Sequence, residues 1–234
     1  MLTTLQHQSL RIIVRTTSCI VTSSPVTVAA RSVLVVPANS DLCGTKLPYF
    51  PHPDFPASAK DMPPSTWGGV EMGSNTFYPV QCIDGVLQLT APNIRHLTAN
   101  HTCSVGSAFL MDCDETRKLL PHFDAICHVV PPLWEMKSTH EHDLDQRAVL
   151  GRAYSSALSK SFDLRETTVH EHIVASIPLL GCGARCAPPK VSIEEAVKSI
   201  VNYTGSGGTV EFALQCPELC SDLLSTFQNF GVVT

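Results

Sequence analysis

Three short runs of almost unbroken apolar residues restrict this chain more than any other feature: ARSVLVVPANS (30–40), FDAICHVVPPLW (123–134) and HIVASIPLL (172–180). A strand with one wet face alternates apolar and polar side chains, whereas a strand without that alternation has to be covered on both faces. The segments around these runs carry a different period. LDQRAVLGRAYSSALSKSF (144–162) sets Leu150, Ala153, Tyr154, Ala157 and Leu158 at helical spacing, which predicts an amphipathic helix. Ser192 followed by Glu195 predicts a capping box for SIEEAVKSIVNY, with Gly205 just past its end. TVEFALQ (209–215) reads as a strand. PELCSDLLSTFQNF reads as a closing helix with proline in its first turn and Leu223, Leu224, Phe227 and Phe230 on its packing face. RIIVRTTSCIV adds a β-branched strand near the start. Alternating strands and helices predict one domain over 1–234. It is a three-layer α/β/α sandwich on a mixed, largely parallel sheet, with strands near 11–20, 33–37, 125–130, 172–180 and 209–215.

Composition narrows the partners. A formal charge of −5 gives a nucleic-acid backbone little to hold, so a nucleic-acid partner is not expected. No apolar run reaches the ~18 residues that a membrane-spanning helix needs. Ten scattered cysteines in 234 residues read as reduced thiols of a cytosol-like compartment, which makes the expected placement cytoplasmic, associated with the cytoskeleton or another assembly. The alternative is mitochondrial, because residues 1–40 hold no Asp or Glu and carry Arg11, Arg15 and Arg31 among many Ser and Thr. Residues 43–67 break the pattern with Pro48, Pro51, Pro53, Pro56, Pro63 and Pro64, and read as a long inserted arm. Tyr49, Phe50 and Phe55 sit among those prolines and are candidates for burial, against the domain itself or against another protein subunit.

Several side chains invite a chemical reading and a plainer one. Cys182, Cys186, Cys216 and Cys220 form two C-x3-C pairs after strands expected to be parallel neighbours. They are either a zinc set or four partly buried thiols, and the second reading is preferred, with no metal or other cofactor expected. His128 reads as a satisfied core histidine in its strand. The clusters HEHDLD (140–145) and TTVHEH (167–172) read as solvated element ends rather than metal sites. Cys103 and Cys113 have no feature of a nucleophile.

Four segments in order resemble those of the macrodomain family, the ADP-ribose-binding (Appr-1''-p processing) α/β/α module, and the chain looks like a divergent member. VLVVPANSDL (33–42) is similar to the family's strand ending in an alanine-asparagine-serine turn, and CSVGSA (103–108) to its cysteine-x-x-glycine-x-alanine turn. AICHVVPPLW (125–134) resembles its histidine-x-valine-glycine-proline-x-tryptophan strand end. RAYSSAL followed by ASIPLLGCG resembles its long helix and phosphate-loop strand. The resemblance implies that Asn39 touches a distal ribose and that the turn holding Gly106 borders the site. It further implies that WGGVEMGS (67–74), with Gly68 and Gly69, forms the first phosphate loop, and that the amides at Gly181 and Gly183 cradle a diphosphate. It puts Glu71 near the family's water-positioning aspartate.

The departures decide the expected function. Cys19 stands nearest the family's adenine-binding aspartate, and a thiol accepts a hydrogen bond poorly. Val36 replaces the first asparagine of the family's turn. Past Gly183 the family has an aromatic, a glycine and a tyrosine before proline, and here Arg185, Cys186 and Ala187 precede Pro188. Arg185 is left with three roles: pairing with a phosphate, filling the site, or pointing at a partner. The expectation is a non-catalytic pseudoenzyme, a structural or scaffolding subunit of a larger protein assembly working through protein–protein interaction. The alternative is an ADP-ribose-binding or mono-ADP-ribosyl hydrolase domain using Asn39, Glu71, Gly181 and Gly183.

Overall fold

The structure is a computed structural model and describes residues 1–27, 31–42, 45–46, 69–72, 76–79, 83–91, 93–112, 114–134, 140–162, 172–183 and 185–232. The elements run β1 (Leu2–His7), β2 (Leu10–Thr16), β3 (Arg31–Pro37), β4 (Thr45–Lys46), β5 (Gly69–Met72), β6 (Thr76–Pro79), α1 (Ile83–Thr90), α2 (Ile94–Thr98), β7 (Ala108–Asp112), α3 (Asp114–Leu119), β8 (Ala125–Val129), α4 (His140–Phe162), β9 (Ile173–Ile177), α5 (Pro189–Val201), β10 (Gly208–Leu214) and α6 (Pro217–Asn229). Seven strands form the main sheet in the order β1-β2-β10-β9-β3-β8-β7. The inner pairings are parallel and the two edge strands, β1 and β7, run antiparallel. Every strand expected in the sheet is in it. Beside it β4, β6 and β5 make a small antiparallel sheet, against which α1 packs.

The apolar runs do what their lack of alternation requires. In β3, Val33 and Val35 point into a core shared with α4, α5 and α6, where Tyr154, Leu158, Ile193, Leu223 and Phe227 are buried. Leu34 and Val36 point the other way, into a second core with Leu87 of α1, Ile94 of α2 and Leu120 after α3. All four β3 side chains are fully buried. Helices therefore cover both faces, and the three layers follow from one strand's two-residue period.

One interior pair is charged. Glu211 in the middle of β10 has no exposed surface. Its Oε1 accepts from Arg15 Nε at 3.0 Å and from Ser176 Oγ at 3.3 Å, and its Oε2 accepts the Val26 amide at 2.7 Å. Arg15 also donates to the Ser24 carbonyl at 3.1 Å. The pair thereby ties the 17–27 segment to the sheet, along the face where the other strands meet helices.

The capping-box expectation at Ser192 is corrected. Helix α5 starts three residues earlier, with Pro189 in its first turn, and Ser192 is fully buried inside it. Its hydroxyl donates to the Leu180 carbonyl at 2.8 Å and accepts from the Tyr154 hydroxyl at 2.6 Å, while Tyr154 accepts the Leu180 amide at 2.7 Å. The three bonds close a ring that fixes the chain just before Gly181. A proline two residues after Ala187 starts the helix more decisively than a serine does, because its ring presets the helical φ and its missing donor is not needed there. The 43–67 arm, with Tyr49, Phe50 and Phe55, lies outside the described residues except for the backbone of β4.

Candidate functional site

In an open parallel sheet the carboxyl ends of the strands are where backbone turns can face a ligand. Here the ends of β3, β8 and β9 each lead into a turn. After β3, the Ala38 amide donates to the Val129 carbonyl at 2.7 Å and Leu42 N to the Asn39 carbonyl at 3.0 Å, placing half-buried Asn39 in a closed turn. From the opposite side this turn is held by Cys103 N on the Ser40 carbonyl at 2.9 Å and Thr98 Oγ1 on the Leu42 carbonyl at 3.0 Å. The turn before β7 joins through the Gly106 amide, which donates to the Val130 carbonyl at 2.7 Å. Gly106 adopts φ +83, and a Cβ there would press against Val149 of α4 at 3.3 Å.

The loop after β9 is the third wall. Gly181 has φ +80, and Ala187 N folds back onto its carbonyl at 2.9 Å, while Cys186 N donates to the Gly183 carbonyl at 2.9 Å. Trp134 N ties the loop to the end of β8 by donating to the Arg185 carbonyl at 2.8 Å. Cys186 has φ +60, a left-handed conformation that L residues other than Gly, Asn and Asp rarely adopt. The glycine-type backbone of the loop is thus kept although its glycine is not.

One charged side chain crosses between these walls, and a second lies within electrostatic reach of it. The Arg185 guanidinium donates from Nη2 to the Ala38 carbonyl at 3.1 Å, a bond that spans from the β9 loop to the Asn39 turn. Asp84, in the first turn of α1, is the carboxylate whose charge reaches Arg185. Asp84 keeps part of its surface open, yet it sits under enough protein that desolvation raises its pKa to about 7 against the opposing pull of Arg185. Desolvation lowers the pKa of Arg185 and the Asp84 charge raises it, and the guanidinium remains a cation throughout.

This perturbation has a measurable sign. Between about pH 4 and 7 the folded chain holds a proton on Asp84 that the unfolded chain has released, so this group's contribution to stability is lost as pH rises through that window. His128 works in the opposite direction, since burial lowers its pKa to about 4 and folding is opposed once the unfolded ring charges below about pH 6.5. Urea unfolding at pH 5 and pH 8 isolates Asp84 when wild type is set against Asp84→Asn. The wild type is expected to lose more stability than the variant on going to pH 8. Parallel behaviour of the two would show that Asp84 titrates normally.

The sequence candidates divide unevenly over this geometry. Asn39, Gly106, Gly181, Gly183 and Arg185 come together at the ends of β3, β8 and β9, as their segments imply. Gly69 and Glu71 lie instead in β5, paired with Pro79 and Phe77 of β6, in the small sheet. Gly68 lies outside the described residues. Asp84 is the site residue that sequence reasoning missed. Its signal was local and weak, an aspartate in the first turn of a short helix.

Cys182, Cys186, Cys216 and Cys220 do not form a metal set: among the described residues no three His, Cys, Asp or Glu side chains gather to hold an ion. β9 and β10 are parallel neighbours as expected, but Cys220 is buried in the core under α6 and the Cys216 thiol donates to Glu218 at 2.7 Å. The expectation of a satisfied histidine at position 128 is also corrected, because both its ring nitrogens are buried with no hydrogen-bond partner among the described residues. Its neighbours across β3 and β7 are Val36 and Phe109, which offer the ring no polar group.

No protein-family model and no curated protein matches the chain. Solved structures do. A point mutant of the Oceanobacillus iheyensis macrodomain with ADPR superposes with a TM-score of 0.64 at 16% identity, over 98% of both chains. The same macrodomain with ADP gives 0.60 at 18% identity, over 98% of this chain and 97% of that one. The Trypanosoma brucei macrodomain in complex with ADP gives 0.54 at 15% identity, over 92% of this chain and 68% of that one.

Proposed function

The chain has the macrodomain fold, and we propose that on this fold it is a non-catalytic protein, a structural subunit of a larger protein assembly rather than a hydrolase. The observation that carries this reading is the Arg185 side chain laid between the β9 loop and the Ala38 carbonyl. A nucleotide diphosphate cradled by the 181–183 amides, with its distal ribose at Asn39, would have to thread through the gap that this bond closes. Glu71, the residue expected to position water, belongs to a strand of the small sheet, and hydrolysis tolerates little displacement of such a group.

Calorimetry with ADP-ribose tests the reading. No saturable heat is expected with ligand at hundreds of micromolar, and no release of ADP-ribose from modified protein at micromolar enzyme. Saturable binding together with turnover would replace this reading with the hydrolase one. That second reading has one observation in its favour: Asp84, a carboxylate raised to about 7 by burial, lies within electrostatic reach of Arg185. Such a group is suited to general acid–base work at pH 7, and turnover that falls on Asp84→Asn would establish it.

A further inference from the structure

We propose that the cleft is latched rather than destroyed: the Arg185 side chain is an intramolecular plug, and removing it restores a site for a nucleoside diphosphate sugar. The inference rests on the reading above that the wild-type cleft does not take this ligand.

Three independent features keep the cradle intact behind the plug. Gly181 holds φ +80 and is fixed from behind by the ring of bonds joining Leu180, Tyr154 and Ser192. Cys186 holds φ +60, so the side chain added at this position has not altered the path of the backbone. The Ala187 and Cys186 amides turn back onto Gly181 and Gly183. The turn that carries the 181–183 amides is thus shaped by interactions that do not involve the Arg185 side chain. Its backbone carbonyl is bound by Trp134 N, and any replacement side chain leaves that bond in place.

Among the described residues the plug is anchored on the Ala38 carbonyl and interacts electrostatically with Asp84. An incoming diphosphate has to break a charge-assisted bond to the carbonyl and displace a cation from a carboxylate. The loss of such contacts weakens binding by about tenfold to a hundredfold. Truncating Arg185 does not simply exchange one obstacle for another. Its positive charge is what pulls the Asp84 pKa down, so without it desolvation leaves Asp84 more fully protonated, and a neutral carboxyl does not repel phosphate.

The test is calorimetry with ADP-ribose, and separately with ADP, on the full chain as wild type, Arg185→Ala and Arg185→Gln, with thermal melting to verify that each variant is folded. The expected order of affinity is Arg185→Ala above Arg185→Gln above wild type, with Arg185→Ala at least tenfold tighter than wild type for ADP-ribose. Gln is too short to span to Ala38 as arginine does, yet it still fills space, so a folded Gln variant keeps the test decisive if the alanine variant is unstable. A wild type that does not bind, beside folded variants that do not bind either, overturns the latch and leaves the non-catalytic reading standing. A wild type that binds overturns that reading, and weaker binding by Arg185→Ala would then show that Arg185 holds the ligand, which overturns the latch as well.

Discussion

Glu211→Ala is expected to cost about 3–5 kcal/mol of stability, the range for breaking a buried ion pair by removing one partner. The carboxylate is fully buried in the central part of β10 and accepts from Arg15, Ser176 and the Val26 amide. Without it the Arg15 guanidinium, whose side chain is 11% exposed, is left as an uncompensated cation in the interior. The loss is not a statement about the net worth of the pair, because bringing both charges out of water is itself costly. Arg15→Met combined with Glu211→Leu should therefore recover most of what the single change loses. The 17–27 segment is tied down through Ser24 and Val26, so limited proteolysis should cut Glu211→Ala there faster than wild type. A urea midpoint for Glu211→Ala within ~0.5 kcal/mol of wild type would mean that water reaches the pair and that the interior is not dry at this point.

Gly181→Ala is the second large effect, at about 2–5 kcal/mol. A left-handed φ costs an L residue about 1–2 kcal/mol. A Cβ at this site would also meet the Ala187 Cβ at 3.1 Å, tight enough that the loop has to shift. Overpacking of this kind adds roughly 1–3 kcal/mol. Gly231 separates the two contributions. It has φ +78, but a Cβ there meets nothing within 4 Å, so Gly231→Ala should show the conformational part alone. Equal losses at 181 and 231 in thermal or urea melts would show that the β9 loop is soft. The rigidity attributed to the 181–187 cradle would then be wrong.

Much of the layer architecture was legible because it is written in single strands. Val33 through Val36 announce burial on both faces without reference to any other residue, and the helical spacing from Leu150 to Leu158 needs only its own segment. What was not legible depends on pairs that are far apart in the chain. Arg15 and Glu211 each look like the polar residue of an ordinary strand, and only the parallel pairing of β2 with β10 brings them together. In the site, the glycines at 106 and 181 were readable because a backbone requirement is local. The roles of Arg185 and Asp84 were not, since the gap they share is built by elements from distant parts of the chain. The stretch around Glu71 reads as a loop in the sequence and forms a strand once β6 is present to pair with it.

The place of β2 in the sheet has a consequence for how the chain is made. Leu10 pairs with Gly208, so β2 waits for a partner that lies about 200 residues downstream. At ~5–20 residues per second of synthesis, that interval is roughly 10–40 s. Through it, Ile12, Ile13 and Val14 can pair only with β1, and a lone two-stranded hairpin is marginal in water. The newborn chain therefore has to keep β2 from wrong partners until β10 has left the ribosome. The main sheet becomes continuous only when β10 joins β2 to β9.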